Sequence, residues 1–230
     1  VTGRRADILE PLAMRLGARA LVVDLADRAA VARLAEDAAP VDVLVANAAL
    51  PGSGRLDSYE VDQIDRVLDV NLRAPIVLAR LLGVPMAARG SGHLVFVSSL
   101  SGKSATEGQS LYAATKFGLR GFATSLRADL HGTGVGVSTI FPGFIRDAGM
   151  FHESGARLPS YVGTRTPGDV ADAVVRAIEH DVAEVDVAPL ALRAGAALAG
   201  LAPELSARMA RRLGAGQIAR SIESGQAGKR

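Results

Sequence analysis

A tyrosine and a lysine four residues apart, Tyr112 and Lys116, are the side chains in this sequence best suited to proton transfer. If a helix begins at Tyr112, this spacing places the ammonium and the phenol on one face of that helix. A nearby cation stabilises phenolate and lowers the pKa of a tyrosine from its usual value near ~10. The pair therefore predicts that Tyr112 acts as a general acid or base. The alternative is a surface pair without function.

Two serines, Ser98 and Ser99, close an apolar run and are followed by a loop of small residues. Ser99 lies thirteen positions before Tyr112, and Ser98 lies one position too early for the same spacing. This segment resembles the catalytic segment of the short-chain dehydrogenases/reductases, in which an active-site serine precedes a YxxxK tyrosine. The resemblance implies that Ser99 steadies the substrate oxygen and that Tyr112 gives or takes the hydroxyl proton. It further implies that Lys116 lowers the pKa of the tyrosine and binds the cofactor ribose.

A polar residue between two helical patterns, Asn71 in Val70-Asn71-Leu72, resembles the catalytic asparagine of the same family. There the asparagine holds a water that connects the active-site lysine to bulk solvent. The resemblance implies the same relay here. The alternative is an asparagine that breaks the helix and turns its amide to solvent.

The adenosine side of a cofactor site is indicated by two short matches to the family. Asn47 and Ala48 follow an apolar run in Ala46-Asn47-Ala48-Ala49, where the family has NNAG, and two of the four residues are replaced by Ala. The resemblance implies that this backbone lies beside the adenosine ribose, whereas the alternative is an ordinary turn. Asp24 matches the acidic residue that contacts adenine in the family. A helix cap is the alternative for Asp24, and Asp27 competes for that place.

The nicotinamide side is indicated by Pro142-Gly143, which follows another apolar run. The resemblance implies that these residues wall the nicotinamide pocket, with Ile145 among the cofactor contacts. The family commonly has a threonine four positions after this glycine, and Asp147 stands there in this chain. What would hold the carboxamide is therefore left open.

Two arginines near the start of the chain, Arg4 and Arg5, bear on the choice of cofactor. In dinucleotide folds an acidic residue after the second strand binds the ribose 2′-hydroxyl, whereas arginine there accommodates a 2′-phosphate. If Val1-Thr2-Gly3 ends the family's second strand, Gly3 takes the acidic position and the arginines follow it. This placement predicts NADP as the cofactor, with NAD as the second choice. The alternative is that both arginines are simply solvated.

The elements that must position these residues alternate between short apolar runs and longer helical patterns. This alternation predicts an α/β fold with a doubly wound, Rossmann-like parallel sheet in one domain over residues 1–230. Ligands of such sheets bind outside the carboxyl ends of the strands, and Asp24, Asn47, Ser99 and Pro142 all follow a strand. The predicted strands are 20–23, 41–46, 94–98, 135–141 and 184–187. The predicted helices are 6–16, one from Asp27, 59–70, 72–88, 112–130 and 167–180, and a helical extension over 188–230 follows.

The glycine-rich TGxxxGxG signature of the family, which lies between its first strand and first helix, does not occur in the sequence. With Val1-Thr2-Gly3 on the second strand the later motifs fall in order, so we expect the fold to be incomplete at its amino end by one β-α unit. Truncation and a mis-set start are both open explanations. Such a chain is expected to bind NADPH weakly, to show little or no turnover and to aggregate, because the unit supplies a central strand and the phosphate-binding loop.

The composition and motifs of the chain argue against several classes of protein. The chain has 230 residues, no cysteine and a net charge of +2, so a disulfide framework, a thiolate metal site and a nucleic-acid partner are not expected. The four histidines lack ligand spacing, and no GxSxG marks a serine hydrolase. No apolar run reaches the ~18 residues that span a bilayer and no secretory signal is visible, so the expected location is cytoplasmic.

The partners considered are a small-molecule substrate, further copies of this chain and a membrane surface. The substrate expected is a small-molecule carbonyl or alcohol. Small residues on the Tyr112 helix predict a homodimer or homotetramer; these are Ala113, Ala114, Gly118, Gly121 and Ala123. The carboxyl-terminal extension is basic, with seven Lys or Arg against two Glu from residue 191 on. It is expected to pack on the domain as a solvated helical face, with capping of the pocket or peripheral membrane contact as alternatives. A non-catalytic dinucleotide-fold protein, or an inactive fragment, is the alternative to an enzyme.

Overall fold

The structure is a computed structural model that describes residues 1–159, 162–212, 215–226 and 228. Its strands in these ranges pair in parallel and form a two-stranded and a four-stranded sheet. The first sheet has the order β1-β2 and the second has the order β3-β4-β5-β6. The strands are β1 (Thr2–Gly3), β2 (Leu21–Val22), β3 (Val43–Ala46), β4 (Gly92–Val97), β5 (Val135–Pro142) and β6 (Glu184–Val187).

Helices connect successive strands, as a parallel sheet requires. They are α1 (Ala6–Leu16), α2 (Arg28–Ala38), α3 (Val61–Leu68), α4 (Ala74–Arg89), α5 (Ser110–Asp129), α6 (Gly149–Glu153), α7 (Pro167–Glu179), α8 (Leu190–Leu201), α9 (Pro203–Arg212) and α10 (Ala215–Gln226). A π-helical turn over Asp69–Arg73 joins α3 to α4, where the sequence predicted a break. The short helix α6 lies between the predicted strand 135–141 and the predicted helix 167–180, and α5 begins two residues before Tyr112.

Both faces of the larger sheet are covered by helices. On one face Leu94 and Phe96 of β4 pack with Leu119 of α5 and with α2 and α4. On the other face Val95 packs with Ala173 and Ala177 of α7. Successive strand residues point to opposite faces, so this alternation buries β4 from both sides. The predicted α/β, doubly wound, Rossmann-like fold is confirmed.

The amino-terminal strands are less well covered than the centre of the larger sheet. Among the described residues β1 pairs only with β2, and β3 pairs only with β4. Val43 and Val45 of β3 are 38% and 44% exposed, whereas Leu94, Val95 and Phe96 of β4 are fully buried. The apolar side chains on one face of β3 are therefore accessible to solvent.

The carboxyl-terminal helix α10 packs against α6. A β-carbon at Gly225 would overlap the carbonyl oxygen of Ser154. The Gln226 amide donates to the carbonyl of Met150 at 3.1 Å, and Ile222 is buried. These contacts favour the packed interpretation of the extension. Within the described ranges, none of the helices has both the length and the apolarity needed to cross a bilayer.

Candidate active site

Helix α5 places Tyr112 and Lys116 one turn apart on the same face. Tyr112 is half-buried and Lys116 is buried. The Lys116 ammonium lies 5.5 Å from the centroid of the Tyr112 ring and donates a hydrogen bond to the carbonyl of Val97 at 3.0 Å. That bond ties the lysine to the carboxyl end of β4, so strand and helix together fix its position.

The two serines after β4 have different surroundings. Ser98 is buried, and its hydroxyl donates to the backbone carbonyl of Lys116 at 3.1 Å. The hydroxyl of Ser99 instead forms a hydrogen bond with the side chain of Tyr112. Its oxygen also accepts the N–H of Ser101 at 3.1 Å, which begins the 3₁₀ turn Leu100–Gly102. The structure therefore brings Ser99 to Tyr112 and uses Ser98 to hold α5 against the sheet.

The prediction that the pKa of Tyr112 lies below its usual value is wrong for this structure, because burial outweighs any stabilisation of the phenolate by the Lys116 cation. Burial raises the pKa of Tyr112 to about 12, and the hydrogen bond with Ser99 opposes this only in part. Burial also lowers the pKa of Lys116 to about 8. The physical reason is that both groups lose water, so the charged form of each becomes less favourable. At neutral pH the phenol is therefore protonated in this structure.

Asn71 is buried in the π-helical turn, and both polar atoms of its side chain bond to one residue. Its carbonyl oxygen accepts the N–H of Leu50 at 2.7 Å, and its amide N–H donates to the carbonyl of Leu50 at 2.9 Å. This excludes the alternative of a solvent-facing amide. The side chain fixes the loop after β3, and the water relay implied by the family resemblance stays a prediction.

The same loop reaches Tyr112 through Gly52, which was not singled out from the sequence. A β-carbon at Gly52 would lie 3.0 Å from both the Cα and the backbone nitrogen of Tyr112. Two residues on, the N–H of Gly54 donates to the carbonyl of Gly108 at 2.7 Å. Asn71 and Gly52 therefore set the position of the loop against the start of α5. The available signal was a Pro/Gly/Ser loop directly after Asn47.

On the adenosine side, Asp24 is held by two hydrogen bonds. Its carboxylate accepts the N–H of Ala26 at 3.0 Å and the guanidinium of Arg66 at 2.7 Å. Burial by itself would raise the pKa of Asp24, but these two bonds and the charge of Arg4 outweigh it and hold that pKa below its ordinary value. The capping alternative for Asp24 is wrong, because Asp27 caps α2 by accepting the N–H groups of Ala29 and Ala30.

The other adenosine-side residues face solvent. Arg4, Arg5, Asn47 and Ala48 are exposed. With the residues that the structure describes, neither arginine forms a hydrogen bond or an ion pair through its guanidinium, and the charge of Arg4 reaches Asp24 only at a distance. These groups are accessible to a ligand, and none of them touches the Ser99–Tyr112–Lys116 cluster directly.

On the nicotinamide side, Pro142 ends β5 and Gly143 donates its N–H to the carbonyl of Val187 at 3.0 Å. A β-carbon at Gly143 would lie 3.0 Å from the β-carbon of Ala188, so only a very small residue fits there. Ile145 forms an isolated parallel bridge with Arg165, which joins the two ends of the segment that contains α6. Asp147, which stands where the family commonly has a threonine, is exposed and has a φ of 72°. No residue is assigned to bind the nicotinamide carboxamide.

The residues fit a nicotinamide dinucleotide at its two ends. Arg4 and Arg5 expose guanidinium groups, which bind anions, and the buried amine of Lys116 lies beside the phenol. The 230 residues include no TGxxxGxG turn for the pyrophosphate between these ends. The described residues include no group of three or more His, Cys, Asp or Glu able to hold a metal ion.

A doubly wound parallel sheet with serine, tyrosine and lysine gathered at its carboxyl edge defines a Rossmann-like dinucleotide-fold domain. Comparison with known proteins identifies the family to which this domain belongs. The family described as short chain dehydrogenase matches residues 1–158. The chain belongs to this family.

Two curated relatives and two solved structures illustrate the relationship. A ketoacyl reductase, HetN, from Nostoc sp. is 38% identical over 148 residues, which cover 64% of this chain and 52% of the relative. A dehydrogenase/reductase SDR family protein 7-like from Anopheles gambiae is 32% identical over 172 residues, which cover 72% of this chain and 54% of the relative. The chain thus spans about half the length of these two relatives.

Among solved structures, a short-chain dehydrogenase from Sphingobium yanoikuyae in complex with NADPH superposes with a TM-score of 0.75 at 25% identity, covering 89% of this chain and 83% of that one. Serine dehydrogenase from Escherichia coli superposes with a TM-score of 0.68 at 27% identity, covering 83% and 85%. The described chain therefore follows the fold of these proteins over most of its length.

The serine pair provides a matched test. Ser99→Ala is expected to lower kcat by about 100-fold or more, because the loss of one donor to a developing oxyanion costs about 2.7–4 kcal/mol. Ser98→Ala removes a buried hydrogen bond and is expected to cost about 1 kcal/mol of unfolding free energy with little change in kcat. Steady-state kinetics and denaturant unfolding of both variants check this. Equal kcat for the two variants would contradict the assignment of Ser99.

Proposed function

We propose that the protein is an NADP-dependent oxidoreductase that interconverts a small-molecule carbonyl and a secondary alcohol. The observation that carries this proposal is the Ser99–Tyr112 hydrogen bond beside the buried Lys116, at the carboxyl edge of the sheet. Family membership supports it, as do a relative named as a ketoacyl reductase and a neighbour solved with NADPH.

When bound, the cofactor supplies or accepts the hydride. The residues of this chain handle the proton and the substrate oxygen. In the reducing direction the Tyr112 phenol donates its proton to the carbonyl oxygen, and the Ser99 hydroxyl donates a hydrogen bond to the same oxygen. In the oxidising direction the phenolate takes that proton back.

Lys116 acts on the charge that this transfer creates. Once Tyr112 has given up its proton, the phenolate lies beside the Lys116 ammonium and is stabilised by it. At rest the phenol is protonated at neutral pH, and burial raises its pKa further, to about 12. Asn71 acts on the same centre by holding Leu50, and through the loop by setting how Gly52 meets Tyr112. We also propose that Asn71 holds a water that connects Lys116 to bulk solvent.

A spectrophotometric screen tests the reaction class. NADPH oxidation is followed at fixed enzyme concentration with a panel that includes a β-ketoacyl thioester, an aliphatic ketone and an aromatic ketone. We expect at least one ketone to be reduced in a time-dependent, enzyme-dependent manner. NADPH binding without any turnover would instead support the second candidate, a dinucleotide-fold protein without catalysis.

Cofactor preference follows from the two free guanidinium groups. NADPH is expected to bind at least about tenfold more tightly than NADH, because a charge-assisted hydrogen bond contributes about 1.5–3 kcal/mol. Replacing Arg4 and Arg5 together by Ala should abolish this difference, whereas the exposed control Arg15→Ala should keep it. Calorimetric titration with both cofactors checks the prediction. Equal affinities in the parent protein would refute the assignment of the 2′-phosphate site.

We further propose a homodimer through the exposed faces of α4 and α5. Of the small residues predicted to form this interface, Ala113 and Ala123 are buried and Gly118 packs on Leu72, so these three face the domain. Ala114 and Gly121 are exposed, and large apolar side chains are exposed on both helices. They are Leu81 and Val84 of α4 and Phe117 of α5.

Light scattering at micromolar concentration checks this proposal. The parent chain is expected to have twice the 23.7 kDa mass of one chain. Phe117→Asp is expected to give a monomer, because it places a charge in an apolar interface. Val61→Asp, at a more exposed apolar residue of α3, is expected to leave the dimer intact. A monomeric parent would exclude the interface.

A further inference from the structure

Lys103 lies at the end of the turn that begins with Ser99, and it is enclosed by other elements. Its side chain is only 14% exposed. Its ammonium lies 2.6 Å from a carboxylate oxygen of Asp186 and 3.0 Å from one of Glu184, both on β6. It also lies 4.0 Å from the centroid of the Phe141 ring at the end of β5. A lysine so enclosed and paired is a fixed anchor rather than a solvated surface charge.

The segment between Ser99 and Lys103 is a continuous hydrogen-bonded turn. The N–H of Gly102 donates to the carbonyl of Ser99 at 2.8 Å, and the N–H of Lys103 donates to the carbonyl of Leu100 at 2.9 Å. At the start of the turn the Ser99 oxygen accepts the N–H of Ser101. A displacement at Lys103 is therefore passed to the Ser99 hydroxyl through backbone hydrogen bonds.

The carboxylates that hold Lys103 also hold α5. Glu184 and Asp186 are two residues apart on β6, so both point to the face of the sheet that α5 covers. Arg120 of α5 binds Glu184 through two hydrogen bonds, of 2.7 Å and 3.0 Å. Arg120 stands eight residues after Tyr112 and four after Lys116 on the same helix. Glu184 thus joins the turn of Ser99 to the helix of Tyr112.

We infer that Lys103 is a positioning residue, which through Glu184 and Asp186 fixes the Ser99 hydroxyl against the Tyr112 phenol. This inference rests on the proposed function, in which those two groups share the substrate oxygen. Ser99 and Tyr112 lie on different elements, and their hydrogen bond needs both elements to keep one relative position. The ion pairs of Lys103 and Arg120 with Glu184 supply that link.

The first measurement compares Lys103→Ala with a matched control. Arg127→Ala removes another ion pair of α5, in which both guanidinium nitrogens of Arg127 bind the carboxylate of Asp181 at 2.7 Å. We expect Lys103→Ala to lower kcat about tenfold or more, since a misplacement near 1 Å can cost about 100-fold. We expect Arg127→Ala to keep kcat and to lower only the unfolding midpoint. Equal kcat for the two variants would overturn the inference.

A double-mutant cycle separates positioning from general destabilisation. If Lys103 acts through the Ser99 hydroxyl, Lys103→Ala should have little further effect on kcat in the Ser99→Ala background, because the group to be positioned is gone. Losses of kcat that add in full would overturn the inference.

A measurement that does not depend on catalysis separates the test of this inference from the test of the proposed function. Amide hydrogen exchange of Gly102, whose N–H closes the turn on the carbonyl of Ser99, should be faster in Lys103→Ala than in Arg127→Ala, because the turn loses its anchor. Unchanged exchange would overturn the inference even in a fully active enzyme. If exchange increases but no carbonyl compound is reduced by the parent protein, the proposed function fails while the link between the two elements stands.

Discussion

Tyr112→Phe is expected to lower kcat for carbonyl reduction by about 10²–10⁴-fold, the usual contribution of a general acid, while the Kd for NADPH stays nearly unchanged. The substitution removes only the hydroxyl that donates the proton and keeps the ring in its packing. Steady-state kinetics with a reducible ketone, together with calorimetric titration of NADPH, measures both quantities. Activity within about tenfold of the parent would contradict the mechanism.

The chain offers a matched control for this substitution. Tyr59 is a buried tyrosine, and its hydroxyl donates to the carbonyl of Ser53 at 2.9 Å. Tyr59→Phe removes one phenolic hydrogen bond away from the proposed chemistry, so it is expected to cost about 1 kcal/mol of unfolding free energy. Its kcat should remain close to that of the parent. A comparable fall of kcat in both variants would indicate a structural effect.

Lys116→Met is expected to change how the free energy of unfolding depends on pH. Burial lowers the pKa of Lys116 from 10.5 to about 8 in the folded protein. Between these values the unfolded chain binds the proton that the folded protein has released, so the free energy of unfolding rises with pH. A shift of this size corresponds to about 3 kcal/mol over the whole range. Lys116→Met, which keeps an unbranched side chain without the amine, removes that rise.

Tyr112 has the opposite effect at higher pH. Its pKa is raised from 10.0 to about 12, so above pH 10 the unfolded tyrosine loses its proton first and the free energy of unfolding falls. Urea unfolding from pH 7 to pH 10 therefore isolates Lys116. The parent and Tyr112→Phe should both become more stable over this range, and Lys116→Met should not. Parallel curves for the parent and Lys116→Met would contradict the burial of a lysine with a lowered pKa.

Most of the fold could be predicted because its elements are marked by local patterns. The first helix was predicted over 6–16 and is observed as Ala6–Leu16, where Gly17 ends it with a φ of 61°. The last strand was predicted over 184–187 and is observed there. Periodic apolar residues bounded by glycine or a capping residue define such elements without reference to the rest of the chain.

The site was harder to predict because its properties depend on contacts between distant segments. The four-residue spacing of Tyr112 and Lys116 correctly indicated a shared face, but not that burial would outweigh the effect of the cation on the phenol. The contact of Gly52 with Tyr112 follows from the path of a loop that is pinned by Asn71. Lys103 reaches Asp186 across 83 residues of sequence. No local pattern encodes such pairs.

Transfer of deuterium from NADPH that carries deuterium at both C4 positions tests the proposed reaction most directly. The alcohol formed from a reducible ketone is isolated and its mass spectrum is recorded for the parent protein and for Tyr112→Phe. The parent is expected to give an alcohol with one deuterium on the carbinol carbon, and Tyr112→Phe is expected to give little or none at equal cofactor saturation. An unlabelled alcohol, or equal labelled yields from both proteins, would contradict hydride transfer with Tyr112 as the proton donor.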